Sequence, residues 1–123
     1  MKILIAENNI NLCRLYKEEF QEEGYDVLIA STGKEALELF SAETPDIVAM
    51  EVLMPDIDGL TLVNDMKKHN PHIPVIMSTS YDFTDIFTGL PSDAFVVKSS
   101  DLTELKQIVT KFAGKRSKLP ISN

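Results

Sequence analysis

"DIVAMEVLMPDIDG", residues 46–59, decides the fold. Ile47 to Met50 form a short, unbroken apolar run that opens on two β-branched residues. Such a run is too short for a helix and suits a strand. Polar and apolar residues do not alternate, so both faces of the strand are covered, as in a parallel sheet under helices. Pro55 and the Asp58-Gly59 pair then mark a loop. The first charge after the run is Glu51, a carboxylate at the point where a buried strand ends.

Moving outward, the same kind of run recurs as "KILIA" (2–6), "YDVLIA" (25–30), "PVIMST" (74–79) and "DAFVVK" (93–98). Helical spacing fills the intervals. Leu12, Leu15, Tyr16 and Phe20 share a face in residues 10–23, and Gly24 stops that helix. Thr32 and Glu35 make a capping box for "GKEALELFSA". Asp58 caps "GLTLVNDMKKH", and Asp101 caps a last helix whose face is Leu105, Ile108, Val109 and Phe112. Strands alternating with helices predict βαβ units, hence a doubly wound, three-layer α/β domain. Residues 1–114 are read as that domain and 115–123 as a tail or the start of a linker.

Length and charge narrow the function. The 123 residues fit one domain with a full core. Net charge is −7, and the one basic run, "GKRSK" at 114–118, sits at the end, so no nucleic-acid binding is expected of this domain. One cysteine, Cys13, excludes an internal disulfide and is read as buried filler. No apolar run is long enough for a membrane span, and the first strand leaves no room for a leader, so a cytoplasmic protein is expected.

In open parallel sheets, chemistry gathers beyond the carboxyl ends of the strands. Those ends carry Glu7, Asn8 and Asn9, then Glu51, then Ser78, Thr79 and Ser80, then Lys98. Carboxylates, an amide, hydroxyls and an ammonium would converge there. In order, the motifs read "AENN", "MEVLMPDIDG", "MSTSY" and "VVKSS". Taken together they resemble the receiver domain of two-component response regulators, over residues 1 to about 113. The resemblance implies a flavodoxin-like five-stranded parallel sheet in order 2-1-3-4-5. It also implies phosphoryl transfer from a histidine kinase to an aspartate, with magnesium held by acidic residues. By position, Glu51 stands at the phosphoacceptor and Glu7 and Asn8 at the acidic pair. Thr79 and Lys98 stand at the phosphate-binding places, and Phe95 at the aromatic switch. The Leu53 carbonyl stands at the backbone metal ligand.

The chain departs from the family pattern in several places. Glu51 replaces the acceptor aspartate and extends one methylene, about 1.5 Å, further. In-line phosphoryl transfer is sensitive to such a displacement, at about a hundredfold in rate. Asn8 replaces a charged magnesium ligand. Glu7, Glu51 and Lys98 sum to −1, so Lys98 can bridge a carboxylate without metal. Ser99 follows the lysine in place of proline, and a trans Lys98–Ser99 bond is expected, since a cis one costs about 3–4 kcal/mol. The segment between the fourth and fifth strands, "YDFTDIFTGLPSD", is short and poor in helix formers, so a short, frayed or missing helix is expected there.

The resulting expectation is an atypical receiver, or pseudo-receiver, without turnover chemistry. It would bind a protein partner, a signalling kinase or effector, through the side made by strands four and five, the helix between them and the last helix. No cofactor is expected, with the magnesium site degraded at Glu7, Asn8, Glu51 and Leu53. Glu51 is either a partial imitation of phospho-aspartate or a retired site kept as an ion pair. The alternatives are a receiver phosphorylated slowly or at another acid, such as Asp56 or Asp58, and a purely structural interaction module. A small nucleotide- or flavin-binding protein of this fold is a further alternative, but "AENNINL" lacks its phosphate-cradling glycine. His69 and His72 have the spacing of a metal pair and are read as solvated loop residues.

Overall fold

The computed structural model describes residues 1–80, 93–98 and 101–117, the side chains of 115–117 excepted. Its elements are β1 (Lys2–Ala6), α1 (Ile10–Glu22), β2 (Asp26–Ala30), α2 (Gly33–Glu43), β3 (Ile47–Glu51), α3 (Gly59–His69), β4 (Val75–Thr79), β5 (Ala94–Val97) and α4 (Thr103–Ser117). Residues 81–92, where a short, frayed or missing helix is expected, and the Lys98–Ser99 bond lie outside the described residues. The last helix continues through 115–117, residues that sequence reading placed in the tail.

All five strands are parallel, in order β2-β1-β3-β4-β5, as expected. The strand order reverses between β1 and β3, and there the register pairs Ala6 with Met50. Side chains along a strand point to alternate faces, and both faces are apolar. Leu4, Ala6, Val48, Met50, Val75 and Met77 pack with α2 and α3. Ile3, Ile5, Ile47, Ala49, Ile76 and Val96 pack with α1 and α4. This two-sided burial explains the unbroken apolar runs.

Local chemistry fixes the ends. Gly24, at φ +93°, closes α1: its N–H donates to Gln21 O and the Tyr25 N–H to Phe20 O. Thr32 caps α2 by accepting from the Glu35 N–H at 3.1 Å, while Glu35 reaches back to the Ser31 N–H rather than to Thr32. Asp58 accepts from the Thr61 N–H at 2.9 Å. Asp101 accepts from the Thr103 N–H at 2.9 Å and turns the chain into α4. At the end of α2, Thr44 takes a left-handed φ of 45°, a conformation unfavourable for a β-branched residue.

Candidate functional site

Three rim residues owe their positions to backbone pairing that continues past the strands. The Glu7 N–H donates to Ala30 O at 2.9 Å, the Lys98 N–H to Thr79 O at 2.7 Å, and Val52, beside Glu51, to Ser78 O at 3.0 Å. Three side chains therefore leave β1, β3 and β5 toward one point. The Lys98 ammonium donates to Oε1 of both Glu7 and Glu51. The second oxygen of each carboxylate accepts a backbone N–H at 2.9 Å, Glu7 from Asn9 and Glu51 from Leu53. Side-chain exposure is 2% for Glu7, 8% for Glu51 and 9% for Lys98.

Burying charge is costly unless every partner is supplied. Here the cost is offset by one cation between two anions and by the two backbone donors. Burial opposes the charge on Lys98, but the hydrogen bonds it donates to Glu51 and Glu7, together with their charge, outweigh it. The Lys98 pKa is raised above the ordinary lysine value. Below the triad, Cys13 donates its thiol to Glu7 O at 3.0 Å, and burial, then the Glu7 charge, pushes its pKa up. Burial also raises the Tyr16 hydroxyl.

The other expected residues differ in burial and in place. Asn8 is exposed beside Glu7. Thr79 is fully buried, and Ser78 sets its hydroxyl 3.4 Å from Met50 O. Phe95 is half-buried against the core on the α2–α3 face. Leu53 exposes its side chain and gives its N–H to Glu51. His69 belongs to the last turn of α3 rather than to a loop, with Nδ1 2.9 Å from its own helix's Asp65 O, and His72 is exposed.

Two residues noted in the sequence, Asn9 at the end of the first strand and Asp56 as a loop or cap residue, have partners that sequence reading did not assign. Asn9 donates to Glu7 and also caps α1, accepting from the Asn11 and Leu12 N–H groups at 3.0 and 3.1 Å. Its signal was present, an asparagine directly before an apolar helical face. Asp56 caps α2, not its own neighbourhood, through the N–H groups of Gly33 at 2.7 Å and Lys34 at 3.0 Å. No local signal announces a cap supplied from 23 residues away.

Among the described residues, the space behind Lys98 is small. The cavity behind Lys98, shared with Tyr16, Ser78 and Leu105, holds about 10 Å³, room for about one water and not for a flavin or nucleotide. A wider groove of about 540 Å³ runs between Phe40, Ser41, Thr44, Pro45, His69 and Asn70, at the ends of α2 and α3 away from the triad.

Comparison with known proteins agrees with this architecture. Residues 3–110 match the family model of the response regulator receiver domain. The TrrA response regulator of Thermotoga maritima, crystallised in complex with Mg²⁺–BeF, is 35% identical with a TM-score of 0.84. The match covers 90% of this chain and 97% of that one. TrrA in complex with the histidine kinase ThkA matches at 34% identity and a TM-score of 0.78, with the same coverage. Among curated proteins, the probable transcriptional regulator ycf27 of Galdieria sulphuraria is 40% identical over 85% of this chain, and the regulatory protein AtoC of Escherichia coli 34% over 89%. The chain spans 42% and 24% of their lengths. This chain belongs to the response regulator receiver domain family of two-component signalling. Receiver domains are signalling modules, and no helix among the described residues is long and apolar enough to cross a membrane.

The family implies magnesium, which takes near-octahedral oxygen ligands at about 2.0–2.1 Å. Among the described residues, two carboxylates face the rim centre, and all four of their oxygens already accept hydrogen bonds. Among the described residues, no group of three or more acid, histidine or cysteine side chains is arranged to hold a metal. As placed, these oxygens are taken by the Lys98 ammonium and by the Asn9 and Leu53 N–H groups.

Proposed function

We propose that this chain is an atypical receiver that signals by protein–protein contact, with phosphotransfer and magnesium binding weakened. The observation that carries the reading is the Lys98 ammonium shared by Glu7 and Glu51. A phosphoacceptor must present a free, correctly placed oxygen to the incoming phosphoryl group. Glu51 has one oxygen on Lys98 and the other on the Leu53 N–H, and it stands where the family uses the shorter aspartate. A neutral amide at Asn8 removes one charge from the metal set.

Under this reading the module is cytoplasmic, and its partner is a kinase or effector protein. The partner meets the β4, β5 and α4 side and the segment between those strands. Phe95 on β5 and Thr79 on β4 stand at the family's switch positions on that side. The relative TrrA, bound to the kinase ThkA, supports a protein partner.

Incubation with acetyl phosphate and magnesium, followed by intact mass measurement, tests the proposal. No stable mass gain is expected, and a phosphoryl adduct mapped to Glu51 would sink it. Glu51→Gln then separates two roles. Lost affinity for the partner marks Glu51 as an imitation of the phosphorylated state, and unchanged affinity marks a retired site.

A further inference from the structure

We propose that the Lys98 ammonium is the resident cation of this rim, and that a hard divalent ion can enter between Glu7 and Glu51 only when that ammonium is removed. The inference deepens the functional reading above and rests on it.

Glu7 and Glu51 come from adjacent strands, and each aims Oε1 at the same ammonium. Their aim does not depend on Lys98 alone. The Asn9 and Leu53 N–H groups each hold the opposite oxygen at 2.9 Å. Both side chains are more than nine-tenths buried. Stripped of Lys98, two negative charges would face each other with little water between them. Such a pair takes up a proton or a cation. The ligands are carboxylate oxygens, which select magnesium, manganese or calcium over metals that prefer nitrogen and sulfur.

Lys98 reaches the centre from the edge strand β5. It therefore supplies the positive charge from the chain itself and ties β5 to β1 and β3 at the same time. A receiver built this way would hold its rim closed whatever the concentration of divalent ion.

Manganese titration of the wild-type chain and of Lys98→Met, followed by water proton relaxation, tests this. The variant is expected to bind roughly tenfold more tightly or better, and Lys98→Met with Glu51→Gln to lose that gain. Equal affinity in wild type and Lys98→Met, or no binding by the variant, overturns the proposal. If Lys98→Met is unfolded without metal, the titration is read as metal-induced folding by circular dichroism, and failure of manganese to restore the fold overturns the proposal. In the wild-type chain, the ¹⁵N signal of the Lys98 ammonium is expected to stay in place at millimolar magnesium. Displacement of that signal without any acetyl phosphate adduct would sink this inference alone. An adduct with the signal undisturbed would sink the functional reading alone.

Discussion

The Asp56 carboxylate accepts the Gly33 N–H at 2.7 Å, so the loop after β3 caps the helix after β2. The contact leaves no space: a Cβ on Gly33 would lie 2.9 Å from Ile57 Cβ and 3.1 Å from Asp56 Oδ1. Bonds to the Lys34 and Gly33 N–H groups hold the Asp56 pKa below the usual aspartate value. A carboxylate with a depressed folded-state pKa stabilises the fold above its unfolded pKa, and that stabilisation fades as the pH falls through the folded value. Asp56→Asn is expected to lower the melting temperature at neutral pH. The gap from wild type should narrow below about pH 4, and a constant gap across an acid series of melts would refute the contact's role.

At the rim, Lys98→Met leaves two buried carboxylates without a counter-charge. A loss of about 3–5 kcal/mol in urea unfolding is expected. The raised Lys98 pKa gives the opposite pH sign from Asp56. Its stabilisation is complete below the unfolded lysine value and fades as the pH rises through the higher folded value. Tyr16 and Tyr25, also raised by burial, add an alkaline loss of the same sign. The measurement is therefore the difference between wild type and Lys98→Met above about pH 10, which should shrink.

Gly59 follows the Asp58 cap because the chain passes close to β4 and to the end of β3. A Cβ there would meet Met77 Cε at 2.7 Å and Val52 O at 2.9 Å. The methionine can move, but the carbonyl belongs to the residue beside Glu51. Gly59→Ala should cost about 1–3 kcal/mol. Adding Met77→Ala should recover little beyond the methionine contact. Full recovery in the double variant would show that the backbone approach does not matter.

Thr44 ends α2 in a left-handed conformation that glycine adopts without strain. Thr44→Gly is expected to stabilise the domain by about 0.5–1 kcal/mol, read from chemical denaturation. Destabilisation would contradict the strained backbone.

Cys13 is buried, its pKa is raised, and its thiol is engaged with Glu7 O. Thiolate is the reactive form. Native protein should therefore react slowly with a disulfide reagent at pH 8, and denatured protein at the rate of a free thiol. Fast native labelling would disprove the burial.

The strands and helices were legible because their signals are local. "DIVAM" shows a strand buried on both faces, Gly24 a helix stop and Asp58 a helix start, each within a few residues. The rim residues were legible too, since strand ends in a parallel sheet fall on one edge. Sequence also supplied the charge balance of Glu7, Glu51 and Lys98. Only the tertiary structure decided that Lys98 serves both carboxylates at once, that the Asn9 and Leu53 N–H groups hold their remaining oxygens, and that Asp56 caps a helix from another βα unit. Those contacts join atoms as far as 91 residues apart. Propensity and periodicity act over one or two turns of chain, whereas hydrogen-bond partners are chosen by where the packed sheet sets each strand's end.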